Sequence, residues 1–145
     1  MLLPNKKYDI IYADPPWNFK SYSKKGDGRN ATQHYDCMTI KDICNLPVKD
    51  ISKDNSILFM WVTDPLLEKA FEVIKSWNFV YKTVAFTWAK SNKTNMGMFT
   101  GLGYWTRSNP EMCLLATKGK PKRISKSVAQ LVRDQRREHL SLIHI

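Results

Sequence analysis

Tyr8-Asp9-Ile10-Ile11-Tyr12-Ala13-Asp14-Pro15-Pro16-Trp17 is the stretch on which the reading of the fold turns. Six short, β-prone residues run straight into an acid and two prolines. Proline has no N–H to give to a ladder, so a strand built from Tyr8 to Ala13 stops there abruptly. A buried strand that ends this way delivers Asp14 at its carboxyl end. In open α/β sheets that is the end where ligands bind.

Working outward, Ser56 to Val62 reads as a second buried strand, Val80 to Trp88 as a third and Glu111 to Thr117 as a fourth, closed by Gly119 and Pro121. Thr39, with Asp42 three residues on, caps a short helix that Pro47 ends. Asp64 caps a longer one with Pro65 at its first position. Leu66, Leu67, Ala70, Phe71, Ile74 and Trp77 recur there at helical spacing, and Trp77 reads as core. Ser127 with Gln130 predicts a last capped helix through about Glu138. Lys20 to His34 and Asn92 to Asn109 are polar, glycine-containing loops. Strands alternating with helix predict an α/β domain, its parallel sheet covered on both faces.

Composition limits the function classes. The 145 residues suffice for one domain, and 43% hydrophobic content argues against disorder. No apolar run is long enough to span a bilayer and no signal pattern opens the chain, so a cytoplasmic location is expected. Cys37, Cys44 and Cys113 lack metal-site spacing, as do His34, His139 and His144; no metal is expected. The chain carries 23 Lys and Arg against 13 Asp and Glu, a net charge of +10. Lys118 to Arg137 is strongly basic, with Asp134 as its acid, and Lys20, Lys24, Lys25 and Arg29 form a second basic group. Both suit a polyanionic partner, and both also suit a solvated face.

A carboxylate followed by rigid carbonyls matches one demanding reaction. The exocyclic amine of adenine is a poor nucleophile because its lone pair is delocalised into the ring. Asp14 could accept one N–H and the Pro15 carbonyl the other, drawing the pair back onto nitrogen. The prolines bring no competing N–H and hold the acceptors stiff. Trp17 could stack on a purine. A stiff turn closing a strand is the plain alternative, and the adjoining strand, aromatic and basic loop weigh against it.

These residues resemble the signature of the MT-A70-type (DPPW) S-adenosylmethionine-dependent adenine methyltransferases. His34-Tyr35-Asp36-Cys37-Met38-Thr39 is similar to that family's Y-x-x-M-T segment, and Leu58 to Thr63 to its L-x-x-W-V-T strand. Trp88-Ala89-Lys90 matches W-x-K, Gly103 to Glu111 its second loop, and Arg136-Arg137-Glu138-His139 the R-E-H after it. The resemblance implies a Rossmann-like methyltransferase fold with a mainly parallel sheet, of which residues 1–139 form the catalytic domain. It implies S-adenosylmethionine as cofactor and nucleic acid as partner, DNA favoured over RNA. Asp14, Pro15, Pro16 and Trp17 would be catalytic, with Asp14 and Pro16 also towards the cofactor. Tyr35, Trp88 and Lys90 would line the target pocket, while Trp105, Arg107, Asn109 and Glu111 would belong to a closing loop. Lys24, Lys25 and Arg29 could hold phosphates or stand as a solvated run, and Trp61, mid-strand, reads as core. Leu140 to Ile145 matches none of the family's carboxyl-terminal elements, so an incomplete sheet and weak donor binding are expected there. The alternative to an enzyme is a non-catalytic, nucleic-acid-binding subunit on the same fold.

Overall fold

A computed structural model describes residues 3–17, 38–92, 97–98 and 100–135. Five strands form one sheet: β1 (Tyr8–Ala13), β2 (Ser52–Val62), β3 (Val80–Ser91), β4 (Glu111–Lys118) and β5 (Leu131–Gln135), in the order β1-β2-β4-β3-β5. Two α-helices accompany them, α1 (Ile40–Cys44) and α2 (Leu67–Ser76). This is an α/β, Rossmann-like fold. No described helix is long and apolar enough to cross a membrane.

One strand, β4, runs against the rest of a mainly parallel sheet, as expected of the fold. β1 and β2 pair in parallel, as do β3 and β5, but β4 runs antiparallel between β2 and β3. The cause is the connection. Parallel strands need a crossover, which α2 provides between β2 and β3; β4 follows β3 with no helix among the described residues, so it returns antiparallel between them. The other strands share one direction, and the sheet stays mainly parallel.

One face of the sheet holds the core. Leu58, Met60 and Val62 of β2 pack with Ile11, Leu114 and Ala116 and with Ile43, Ala70, Val73, Ile74 and Trp77 of the helices. Trp77 is core as expected, its indole donating to the Ile43 carbonyl at 2.9 Å. Phe71 is not: it stays 40% exposed against Tyr81, and Val73 takes the inward place. Alternation along β2 turns Phe59 and Trp61 to the other face, where Phe59 pairs with Tyr12 of β1.

Local signals fared unevenly. The Thr39 hydroxyl accepts the Asp42 N–H at 3.1 Å and starts α1, as expected. Asp64 caps nothing; it opens a 3₁₀ turn over Asp64–Leu66 that precedes α2, with no side-chain cap bond. The helix expected from Ser127 is absent, because both would-be capping side chains are engaged elsewhere. Ser127 contacts Ser125, while Gln130 donates to the Val84 carbonyl at 2.7 Å and seats the chain beside β3 as β5. The loop from Lys20 to His34 and the tail from Leu140 lie outside the described residues.

Candidate active site

Asp14 stands one residue past Ala13, which pairs with Met60 near the carboxyl end of β2. The carboxyl ends of β1, β2 and β3 and the amino end of β4 thus share one rim. Burial pushes the Asp14 carboxyl up from 3.8 to about 7, and the neighbouring charge of Glu111 adds to the rise. A carboxyl raised this far by its surroundings, at the ligand end of a sheet, marks a candidate functional group. Asp64 is raised too, by burial first and Glu111 second, with Lys90 pulling the other way.

Glu111 opens β4 and is ion-paired at 3.0 Å to the Lys90 ammonium, both largely buried. That ammonium also lies 5.3 Å from the centre of the Trp88 ring. Asn109 holds Lys90 at both backbone atoms: its Oδ1 accepts the Lys90 N–H at 2.9 Å and its Nδ2 donates to the Lys90 carbonyl at 2.9 Å. Three acids with one paired ammonium make a rim that suits a cationic ligand.

An aromatic wall runs beside this cluster. The Trp61 indole donates to the Tyr12 hydroxyl at 2.7 Å and meets the Trp88 ring edge-on at 6.4 Å. Trp61 is therefore partly open and not core, contrary to expectation. Tyr12 and Asp64 were missed by sequence reasoning. The signal for Tyr12 was available, since residues two apart on a strand share a face and Tyr12 lies two before Asp14.

Trp17 is the main correction. It is 2% exposed within the core, its indole donating to the Trp61 carbonyl at 2.9 Å, so it has no free face for a base. Its N–H donates to the Pro15 carbonyl at 2.8 Å, and the Pro16 carbonyl accepts from Met38 at 2.9 Å. A carbonyl has two lone pairs, which leaves Pro15 one acceptor site. The indole braces the turn that carries Asp14.

Asp14, Pro15, Pro16, Trp88, Lys90, Asn109 and Glu111 thus gather at one rim. Trp105 and Arg107 are exposed, Trp105 to 91% on a backbone with φ of 75°. Tyr35, Lys24, Lys25 and Arg29 lie outside the described residues. Cys113, pushed up to about 12 by burial and by Asp14, is a packing thiol at neutral pH. Among the described residues no group of His, Cys, Asp and Glu could hold a metal ion.

Known proteins share this arrangement of sequence. The chain is 36% identical over 154 residues to "Type II methyltransferase M.MunI" of Mycoplasma sp, covering 94% of this chain and 63% of that protein. It is 33% identical to "N6-adenosine-methyltransferase non-catalytic subunit MTB" of Arabidopsis thaliana, over 81% of this chain and 15% of the relative. To "N(6)-adenosine-methyltransferase catalytic subunit METTL3" of Homo sapiens it is 27% identical, over 79% of this chain and 18% of the relative. It spans, in each case, less than two thirds of the relative's length. The MT-A70 family model matches residues 8–141, strand, acid, prolines and rim together, and the chain belongs to the MT-A70 family.

Proposed function

We propose that the Asp14 rim transfers a methyl group from S-adenosylmethionine to the exocyclic amine of adenine in a nucleic acid. The observation that carries the reading is Asp14 itself. Its carboxyl is desolvated, sits at the ligand end of the sheet and precedes two prolines, in a family whose relatives are named methyltransferases. DNA is favoured over RNA in this reading because the relatives named for adenosine, a ribonucleoside, are less identical to the chain than the Mycoplasma protein, whose name carries no ribonucleoside. The net charge of +10 suits either polyanion.

Ionised Asp14 accepts one amine N–H and the remaining lone pair of the Pro15 carbonyl accepts the other. Both bonds strengthen as the nitrogen becomes pyramidal, which is the differential binding that lowers a barrier. Trp61, the partly open indole of the wall, is placed to take a flat base, the role that the motif suggested for Trp17, while Trp88, only 4% exposed, braces it edge-on with Lys90 over its ring. Trp105 and Arg107 would touch substrate from the closing loop.

S-adenosylmethionine, when bound, supplies a methyl group already attached to a cationic sulfur. The residues present fit such a group, because burial first and Glu111 second raise both Asp14 and Asp64, and an added cation beside them would offset that. Asp14 and Pro16 would border it, and the same cation would draw the Asp14 carboxyl back towards its ionised form.

Incubating the protein with donor labelled in the methyl group and with adenine-containing DNA or RNA, then separating the nucleosides, tests the reading. Label in N6-methyladenine nucleosides supports it; label confined to other bases overturns it. A second reading, a non-catalytic subunit, is favoured by the name of the Arabidopsis relative. Nucleic-acid binding with no label transferred would establish that one.

A further inference from the structure

The strand pairing between β3 and β4 runs in a simple register: Phe86 with Cys113, Thr87 with Met112 and Trp88 with Glu111. Each step forward on β3 is a step back on β4, so the second position past the ladder sets Lys90 opposite Asn109. Backbone pairing stops short of it, at Trp88 with Glu111. The two bonds that a backbone partner would have made are made instead by a side chain. The carboxamide of Asn109 accepts from the Lys90 N–H and donates to the Lys90 carbonyl, each at 2.9 Å.

The geometry points to Asn109 as a positioning residue, whose carboxamide stands in for a missing strand partner and so holds the Lys90 ammonium on Glu111 at the Asp14 rim. A primary amide is the side-chain group that reproduces a peptide's paired donor and acceptor. Without it the last residues of β3 lose their anchor on the β4 side. Lys90 has a long, flexible stem, and an ammonium on such a stem keeps one partner only where its backbone is fixed. The ion pair at 3.0 Å is the product of that fixing. Asn109 thereby acts through Lys90, and contact with substrate is not required of it.

Two readings on the protein alone test this, so their outcome does not depend on whether the rim methylates adenine. The first is amide hydrogen exchange at Lys90. Asn109→Ala should speed exchange at Lys90 roughly tenfold, the loss of one net hydrogen bond, while Phe86 and Val84 deeper in β3 exchange as before. Asn109→Asp, which keeps the acceptor for that N–H, should restore most of the protection. The second follows the Asp64 carboxyl by carbon NMR through a pH titration, because Asp64 senses the Lys90 charge. Its midpoint should move upward in Asn109→Ala and upward in Lys90→Met, and no further in the double variant, since both remove one effect. Unchanged exchange at Lys90 overturns the clamp. Additive shifts at Asp64 overturn its action through Lys90. Failure of methyl transfer with both readings as expected would count against the proposed function and leave Asn109 in place.

Discussion

At the scale of single residues, Asp14 and Trp17 divide the work that their motif compresses into four positions. Folding raises the Asp14 pKa from 3.8 to about 7, so across that window the native state holds a proton that the unfolded chain has released. Stability from this group is full below 3.8 and is lost as pH rises towards 7. Asp14→Asn has no charge to bury. It should melt above the unmodified protein at pH 8, by at most roughly 4 kcal/mol at about 1.36 per pKa unit, and thermal melts at pH 5 and pH 8 check this. Equal melting temperatures at pH 8 would show that the carboxylate is well solvated. Trp17 behaves in the opposite sense. Its indole is core, so Trp17→Ala should cost about 3–5 kcal/mol of stability, read by denaturant unfolding, with loss of activity following from loss of fold. A well-folded, inactive Trp17→Ala protein would return the indole to the substrate.

At the scale of elements, what was legible depended on whether the signal was local. β1 could be read to the residue, because its end is dictated by Pro15 and Pro16 within the strand's own sequence. The Thr39 cap and the Trp77 core position were legible for the same reason. β5 was not, since Ser127 and Gln130 carry a valid capping pattern and only the distant Val84 carbonyl redirects Gln130. The burial of Trp17 likewise depends on the Trp61 carbonyl, 44 residues away. Asp14 could be named from its place at a strand end, and Lys90, Asn109 and Glu111 from the family resemblance, but the Lys90–Glu111 pair and the Asn109 clamp needed the β3–β4 register. The turn after β4 gives a test at this scale. Gly119 has φ of 66°, and a Cβ there would fall 2.3 Å from the Asp54 carbonyl oxygen. Gly119→Ala should therefore destabilise by more than about 1 kcal/mol, measurable as a lowered urea midpoint, while Lys120→Ala, an exposed neighbour, leaves it nearly unchanged.

For the whole molecule, most of the basic run lies away from the rim. Lys118 to Lys126 leaves β4 at the end away from Glu111 and is exposed through most of its length, while Arg133 returns on β5 to pair with Ala89 beside Lys90. If those cations meet phosphates, nucleic-acid affinity should fall steeply with salt, and replacing Lys120, Lys122, Arg123 and Lys126 with Gln should flatten the slope by about 0.7–0.9 for each phosphate no longer neutralised. A slope untouched by the four replacements would identify the run as a solvated face. The central claim rests at the other end of the sheet, on a desolvated carboxylate that must ionise to accept an amine N–H. It is tested most directly by the pH dependence of kcat/KM for methyl transfer to an adenine-containing oligonucleotide, for the unmodified protein beside Asp14→Asn. With donor bound, an acid limb is expected for the unmodified protein with its midpoint below the ligand-free Asp14 value of about 7, and for Asp14→Asn a rate lower by about 10²–10³ with that limb gone. Transfer by Asp14→Asn at the unmodified rate, or the same acid limb in both proteins, would contradict it.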